Sequence, residues 1–175
     1  YYLYLLPVFI YHDLLELKFY DSLDKQYQFS PGFDKPYALY KQPVTGKTLN
    51  KYALGVALGE LPFFAIAHFR CTLSNSHYRA DGYSPPYQLG IVLSTIVWSI
   101  MGLLIIGCVL RRYFSALITT ICILCLGFGT NFLVYSAVDM GMSHTWMFLL
   151  VSCVLFFTEK LYRTSSRGSA VGLGL

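Results

Sequence analysis

Three long stretches of this chain carry no charged side chain: Gln88 to Leu110, Tyr113 to Val138 and Met140 to Thr158. A helix needs about 20 residues to cross the roughly 30 Å hydrocarbon core of a bilayer. The pattern therefore predicts spanning helices over 88–110, 114–138 and 142–158. A further span is expected to begin at 168–175, in Gly168-Ser-Ala-Val-Gly-Leu-Gly-Leu175. Residues 1–87 read differently, as a polar, aromatic-rich segment broken by turn formers. Within it, Tyr2–Phe19 is rich in Leu and aromatics, with His12, Asp13, Glu16 and Lys18 as its polar content. That pattern predicts a short amphipathic helix over 2–19, lying at a membrane surface. Residues 20–50 read as a loop, with turn signals at Pro31-Gly32, Lys35-Pro36, Gln42-Pro43 and Thr45-Gly46.

The stretch 51–69 is apolar apart from Lys51, Glu60 and His68. As a spanning helix it would put Glu60 and Pro62 near the bilayer centre. An ionised acid there costs about 2.5–3.5 kcal/mol. The segment is therefore read as a second interfacial helix, and 1–87 as one extracytoplasmic unit. The expected fold class is an all-α membrane protein: a multi-pass helix bundle with an extracytoplasmic segment of interfacial helices.

Composition agrees with the pattern. Residues are 55% hydrophobic and 13% charged, with mean hydropathy +0.52, against about a quarter charged in soluble domains. The 17% of aromatic residues suits a chain that works at the membrane–water interface. The net charge of +4 does not point to nucleic acid, because the bases sit at helix ends: Arg111-Arg112, then Lys160, Arg163 and Arg167. The excess of Lys and Arg on the cytoplasmic side of membrane proteins places both clusters inside. It leaves 1–87 and the turn Asp139-Met-Gly-Met-Ser-His144 outside. The first 88 residues hold seven of the nine acids. Cys122 and Cys125 form a C-x-x-C spacing without His or acids nearby, so neither metal nor disulfide chemistry is implied. The opening aromatic run and the apolar close suggest spans before Tyr1 and after Leu175.

Candidate chemistry lies at the outer surface. His12-Asp13 could act as an acid/base pair. Asn50-Lys51 opens an apolar helix, where a Lys and free N–H donors could hold a phosphate. Glu60, an acid in apolar surroundings, would have a raised pKa suited to proton transfer or a substrate contact. Asp139 and His144 flank an outer turn between spans. Thr130, Asn131 and Ser136 could hydrogen-bond between helices. Gly46-Lys47-Thr48 is no P-loop, since Lys41 stands where the motif needs its first Gly.

Four segments together resemble the glycosyltransferase family 39 type of membrane enzyme. They are Tyr1-Tyr-Leu-Tyr-Leu-Leu-Pro7; Asn50-Lys-Tyr-Ala-Leu-Gly55 with Leu61-Pro-Phe-Phe64; Ala80-Asp-Gly-Tyr-Ser-Pro-Pro-Tyr-Gln88; and Met142-Ser-His-Thr-Trp146. The broad group includes protein O-mannosyltransferases and the lipid A aminoarabinose transferase. The resemblance covers nearly all of this chain and about the first third of a full-length member. It implies GT-C architecture in a bacterial inner membrane. The donor would be a sugar on a polyprenyl phosphate, and the acceptor a hydroxyl of a glycan, lipid or protein at the outer face. It implies that Lys51 engages the lipid phosphate and that a leading acid stands just before Tyr1. Asp13 and Glu60 are the acids it leaves within this chain. No cofactor is expected. A multi-pass transporter or flippase, or a non-catalytic subunit of envelope polysaccharide assembly, remains the alternative.

Overall fold

The computed structural model describes residues 1–28, 39–73, 75–164 and 167–174. They are mostly helical and form two compact units, Tyr1–Ile91 and Val92–Leu175.

The first unit opens with a 3-10 turn over Tyr2–Tyr4 that continues into α1 (Leu5–Phe9). The helix expected over 2–19 stops there. The N–H groups of Ile10 and Tyr11 both return to the Leu6 carbonyl, and His12 then takes φ 52°. Asp13 accounts for the stop. Its two carboxylate oxygens accept the N–H groups of Glu16 (3.0 Å) and Lys18 (2.8 Å), and such local bonds compete with a helix for the same donors. Leu17, inside that bracket, also has positive φ.

The stretch read as a loop over 20–50 carries structure of its own. Helix α2 (Tyr20–Tyr27) ends on Gln28 in the left-handed conformation, a common helix stop. Strands β1 (Leu39–Lys41) and β2 (Thr48–Asn50) pair antiparallel, with Tyr40 opposite Leu49. The signals at Gln42-Pro43 and Thr45-Gly46 make the hairpin turn, where Gly46 has φ 69°. Those at 31–32 and 35–36 lie outside the described residues. Thr48 N–H bonds the Leu15 carbonyl at 2.6 Å, which ties the hairpin to the Asp13 turn.

Helix α3 runs from Gly55 to Thr72, not from Lys51. The side chain of Asn50 accepts the Tyr52 N–H at 3.0 Å, and this turn delays the helix by one turn, so Lys51 precedes it. The buried residues of α3 are Val56, Ala57, Glu60, Phe64, Ala67 and Cys71. They recur every three or four positions, the spacing of one helix face. That face packs on Tyr2, Leu5 and Leu6 from the first turns and on Tyr87. Pro62 lies on the exposed side.

Helix α4 (Pro85–Leu110) starts three residues before the expected span, because Pro85 and Pro86 suit a first helical turn, where no N–H partner is needed. In the second unit, α5 (Ala116–Gly129) and α6 (Phe132–Ala137) replace the single span expected over 114–138. The break has a local cause. Thr130 Oγ1 donates back to the Leu126 carbonyl (2.7 Å) and accepts the Phe132 N–H (3.1 Å), just after two helix-weakening glycines, Gly127 and Gly129. The 14 residues of α5 make about 21 Å of helix, short of a bilayer core. Helix α7 (Ser143–Thr164) outruns the expected 142–158, and α8 (Arg167–Gly172) has only six residues. Helices α4 and α7, of 26 and 22 residues, are long and apolar enough to cross a membrane.

Within the second unit, α4 and α7 meet closely. A Cβ on Gly102 would come 2.7 Å from the Phe148 ring, and the Trp98 and Trp146 rings lie 4.8 Å apart. Arg112 and Arg163 both pair with the buried Glu159.

Gly82 offers a direct test of the first unit's packing. It has φ 86°, and a Cβ there would fall 2.6 Å from Leu6, which is fully buried. Gly82→Ala is expected to destabilise the first unit by about 3 kcal/mol, from backbone strain and overpacking together. The check is the temperature at which protease begins to cut within residues 1–91.

Candidate functional site

Helix periodicity puts Glu60 where an apolar side chain belongs. It is 2% exposed, between Ala57 and Phe64 on the inner stripe of α3, and its Oε2 has no hydrogen-bond partner among the described residues. Its surroundings are aromatic. The Tyr2 ring packs edge-on against Phe64 (5.9 Å between centroids) and against Tyr83 (5.8 Å). Burial pushes the Glu60 carboxyl up to about 7. Burial raises the Tyr2 and Tyr83 phenols as well, and the Glu60 carboxylate adds to both shifts.

Lys51 approaches from the sequence side. Its ammonium sits 5.5 Å from the centre of the Tyr52 ring. That ring lies against Tyr1 at 4.3 Å, and the Tyr52 carbonyl accepts the Tyr4 hydroxyl at 2.5 Å. The first turns of the chain therefore touch both the Lys51-Tyr52 corner and the Glu60 face of α3. Tyr1 and Tyr2 thus connect the Lys51-Tyr52 corner to the stripe of α3 that carries Glu60. An exposed cation and a buried acid that is half-protonated near neutral pH can hold an anion and move a proton.

Asp13 has another job. The N–H groups of Lys18 and Glu16 hold its carboxyl below the usual range, so it stays ionised as the brace of its own turn. His12 is exposed on that turn, with positive φ. Asp139 and His144 belong to the second unit. Asp139 is exposed, its N–H bonded to the Val134 carbonyl, and His144 stacks on Tyr135 at 3.7 Å.

Sequence reading missed a polar cluster further along the buried face of α3. His68 Nδ1 lies 2.7 Å from the hydroxyl of the buried Tyr87, and the Phe64 ring stacks parallel to His68. Ser84 Oγ donates to the Arg79 carbonyl at 2.7 Å and faces Cys71 Sγ at 3.7 Å. Asp81 takes hydrogen bonds from several directions at once. Two signals were available: Glu60, Phe64 and His68 fall at successive turns of one helix, and Asp81-Gly82 is a turn pair. Among the described residues, no three His, Cys, Asp or Glu side chains gather closely enough to hold a metal ion. The chain was compared with family models, curated proteins and solved structures, and it matches none of them.

The raised Glu60 pKa fixes a sign for stability. From pH 4.5, the group's ordinary value, to about 7, the unfolded chain has given up a proton that the folded chain keeps. Stability therefore falls as pH rises through this window, and it levels off above it at a cost of about 3 kcal/mol. Glu60→Gln is expected to melt above the parent protein beyond about pH 7, with the two curves converging near pH 4.5. Parallel curves across the whole range would show that the acid is not buried as described.

Proposed function

We propose that this chain belongs to a membrane glycosyltransferase that moves a sugar from a polyprenyl-phosphate donor to an acceptor hydroxyl. The acceptor is a glycan, lipid or protein at the outer face of a bacterial inner membrane. The observation that carries this reading is the buried Glu60, whose Oε2 has no hydrogen-bond partner among the described residues, in the same compact unit as an exposed Lys51. Both belong to an aromatic-rich unit whose chain leads into α4, a helix long enough to cross a membrane. The resemblance noted in the sequence adds the reaction type. On this reading the multi-pass bundle extends beyond the two long helices, and residues 1–87 lie outside the cytoplasm.

The proposed steps balance within the site. The acceptor oxygen bonds to the anomeric carbon while the bond from that carbon to the lipid-phosphate oxygen breaks, with inversion. The acceptor proton passes to an ionised carboxylate, and the phosphate leaves with its charge held against Lys51. Glu60, titrating near the working pH, is suited to hold that proton, since a general base works best with a pKa close to ambient pH. The resemblance implies a further acid before Tyr1, with which Glu60 would share the work.

One feature favours a second reading. The break between α5 and α6 at Thr130-Asn131 is the kind of interruption found in transporters, which supports a flippase acting on the same lipid-linked sugar.

The two readings part in proteoliposomes holding the full-length protein and a polyprenyl-phosphate sugar. Transfer to a hydroxyl acceptor is expected. Lys51→Ala should raise the donor KM about tenfold, the value of one charge-assisted contact to phosphate. Glu60→Gln should cut turnover about 100-fold or more while sparing donor KM. Movement of the lipid sugar across the bilayer without transfer would favour the flippase. Both substitutions silent would leave a non-catalytic assembly subunit.

A further inference from the structure

Asp81 accepts three hydrogen bonds on its carboxylate, and the reaction outlined above does not use it. Its Oδ1 accepts the N–H groups of Tyr83 and Ser84, each at 2.9 Å. Its Oδ2 accepts the Tyr27 hydroxyl at 2.5 Å. Its backbone carbonyl accepts the Tyr11 hydroxyl at 3.0 Å, and the next carbonyl, of Gly82, accepts the Tyr2 hydroxyl at 2.6 Å. Three phenols from three separate stretches of the first 28 residues therefore converge on two consecutive residues. A turn leading into a helix needs only the N–H bonds to the carboxylate. The three phenols are additional, and what they secure is the position of Tyr83.

Tyr83 follows directly. Its own N–H is held by the Asp81 carboxylate, and its ring is fixed between Tyr2 (5.8 Å, edge-on) and Tyr27 (5.9 Å, stacked). Tyr2 in turn packs against Phe64, one helical turn from Glu60. We propose that Asp81 is a positioning residue for the Glu60 site: by holding Tyr83 and Tyr2 against α3 it keeps water off the Glu60 carboxyl. Among the described residues, the titratable groups facing Glu60 are the phenols of Tyr2 and Tyr83. On α3 itself no other titratable residue lies within two turns before His68. Loosening the two phenols therefore exchanges a dry aromatic wall for solvent, and a hydrated carboxyl gives up its proton more easily.

This proposal rests on Glu60 being the working acid of the proposed transferase, but its test does not require turnover. The carbonyl stretch of protonated Glu60 can be titrated by infrared spectroscopy on the intact protein in lipid nanodiscs, the band being assigned by its loss in Glu60→Gln. Asp81→Ala is expected to lower the midpoint by about one pH unit or more, toward the ordinary carboxylate range. Asp81→Asn keeps an oxygen for the two N–H groups and should stay near the parent midpoint. Tyr83→Leu, with Asp81 intact, should lower the midpoint as Asp81→Ala does, and it decides the matter alone if Asp81→Ala does not fold. A role confined to folding would reduce the folded fraction and leave the midpoint of what remains in place. An unmoved midpoint in the foldable variants would overturn the proposal. A moved midpoint in a protein without sugar transfer would sustain the positioning and sink the transferase reading.

Discussion

Helix α3 is apolar on every side, and the first unit is organised by the need to hide one of those sides. Leu58, Ile66 and Phe69 remain exposed on the outer side. The inner side needs a cover, and the first turns of the chain supply it with Tyr2, Leu5 and Leu6, while the first turn of α4 supplies Tyr87. Aromatic rings suit the task, since each buries a large area and the tyrosines bring a hydroxyl that can be satisfied at the edge of the core. Glu60 is the exception on that side. Its place in the stripe is fixed by helix geometry, so the acid goes wherever the stripe goes.

Among the described residues two acids are buried, and they are treated in opposite ways. Glu159, near the end of α7, meets both Arg112 and Arg163. A buried charge matched this closely acts as a fastener, and removing one partner is costly because the other is left stranded. Glu60 has an oxygen with no partner and a proton it keeps to about neutral pH. The difference separates a carboxylate that holds structure together from one whose protonation state is free to change. Asp13 and Asp81 belong with the first kind: Asp13 gives both oxygens to backbone N–H groups of its own turn, and Asp81 gives Oδ1 to two such groups and Oδ2 to the Tyr27 hydroxyl.

The long apolar runs were legible because hydropathy over some twenty residues needs no knowledge of tertiary contacts. Helices α4 and α7 follow from it, and so does α3. The interruptions were harder to read. The stop after α1 depends on Asp13 capturing two N–H groups, and the break at Thr130 on one hydroxyl folding back to Leu126; either residue in another rotamer would allow a helix to continue. The strands β1 and β2 are three residues each, too short for alternation to register. In the site, Glu60 and Lys51 could be singled out because a charge in apolar sequence is conspicuous. The tyrosine hydroxyls that meet at Asp81 could not, since a tyrosine in sequence does not announce which carbonyl, some 70 or 80 residues away, it will bond.

Those separations bear on when the first unit can form. The Tyr2 hydroxyl bonds a carbonyl 80 residues further along, and the Tyr11 hydroxyl one that is 70 residues along. Closing loops of that length costs chain entropy before any contact repays it, and folds dominated by such contacts assemble slowly. Until Asp81 and Gly82 have been synthesised, the early tyrosines have no partner there and the inner side of α3 lacks the cover given by Tyr87. The segment that follows at once is α4. The closing of the aromatic core and the synthesis of α4, a helix long and apolar enough to cross a membrane, are therefore adjacent events, and the site around Glu60 comes into being only as that helix is made.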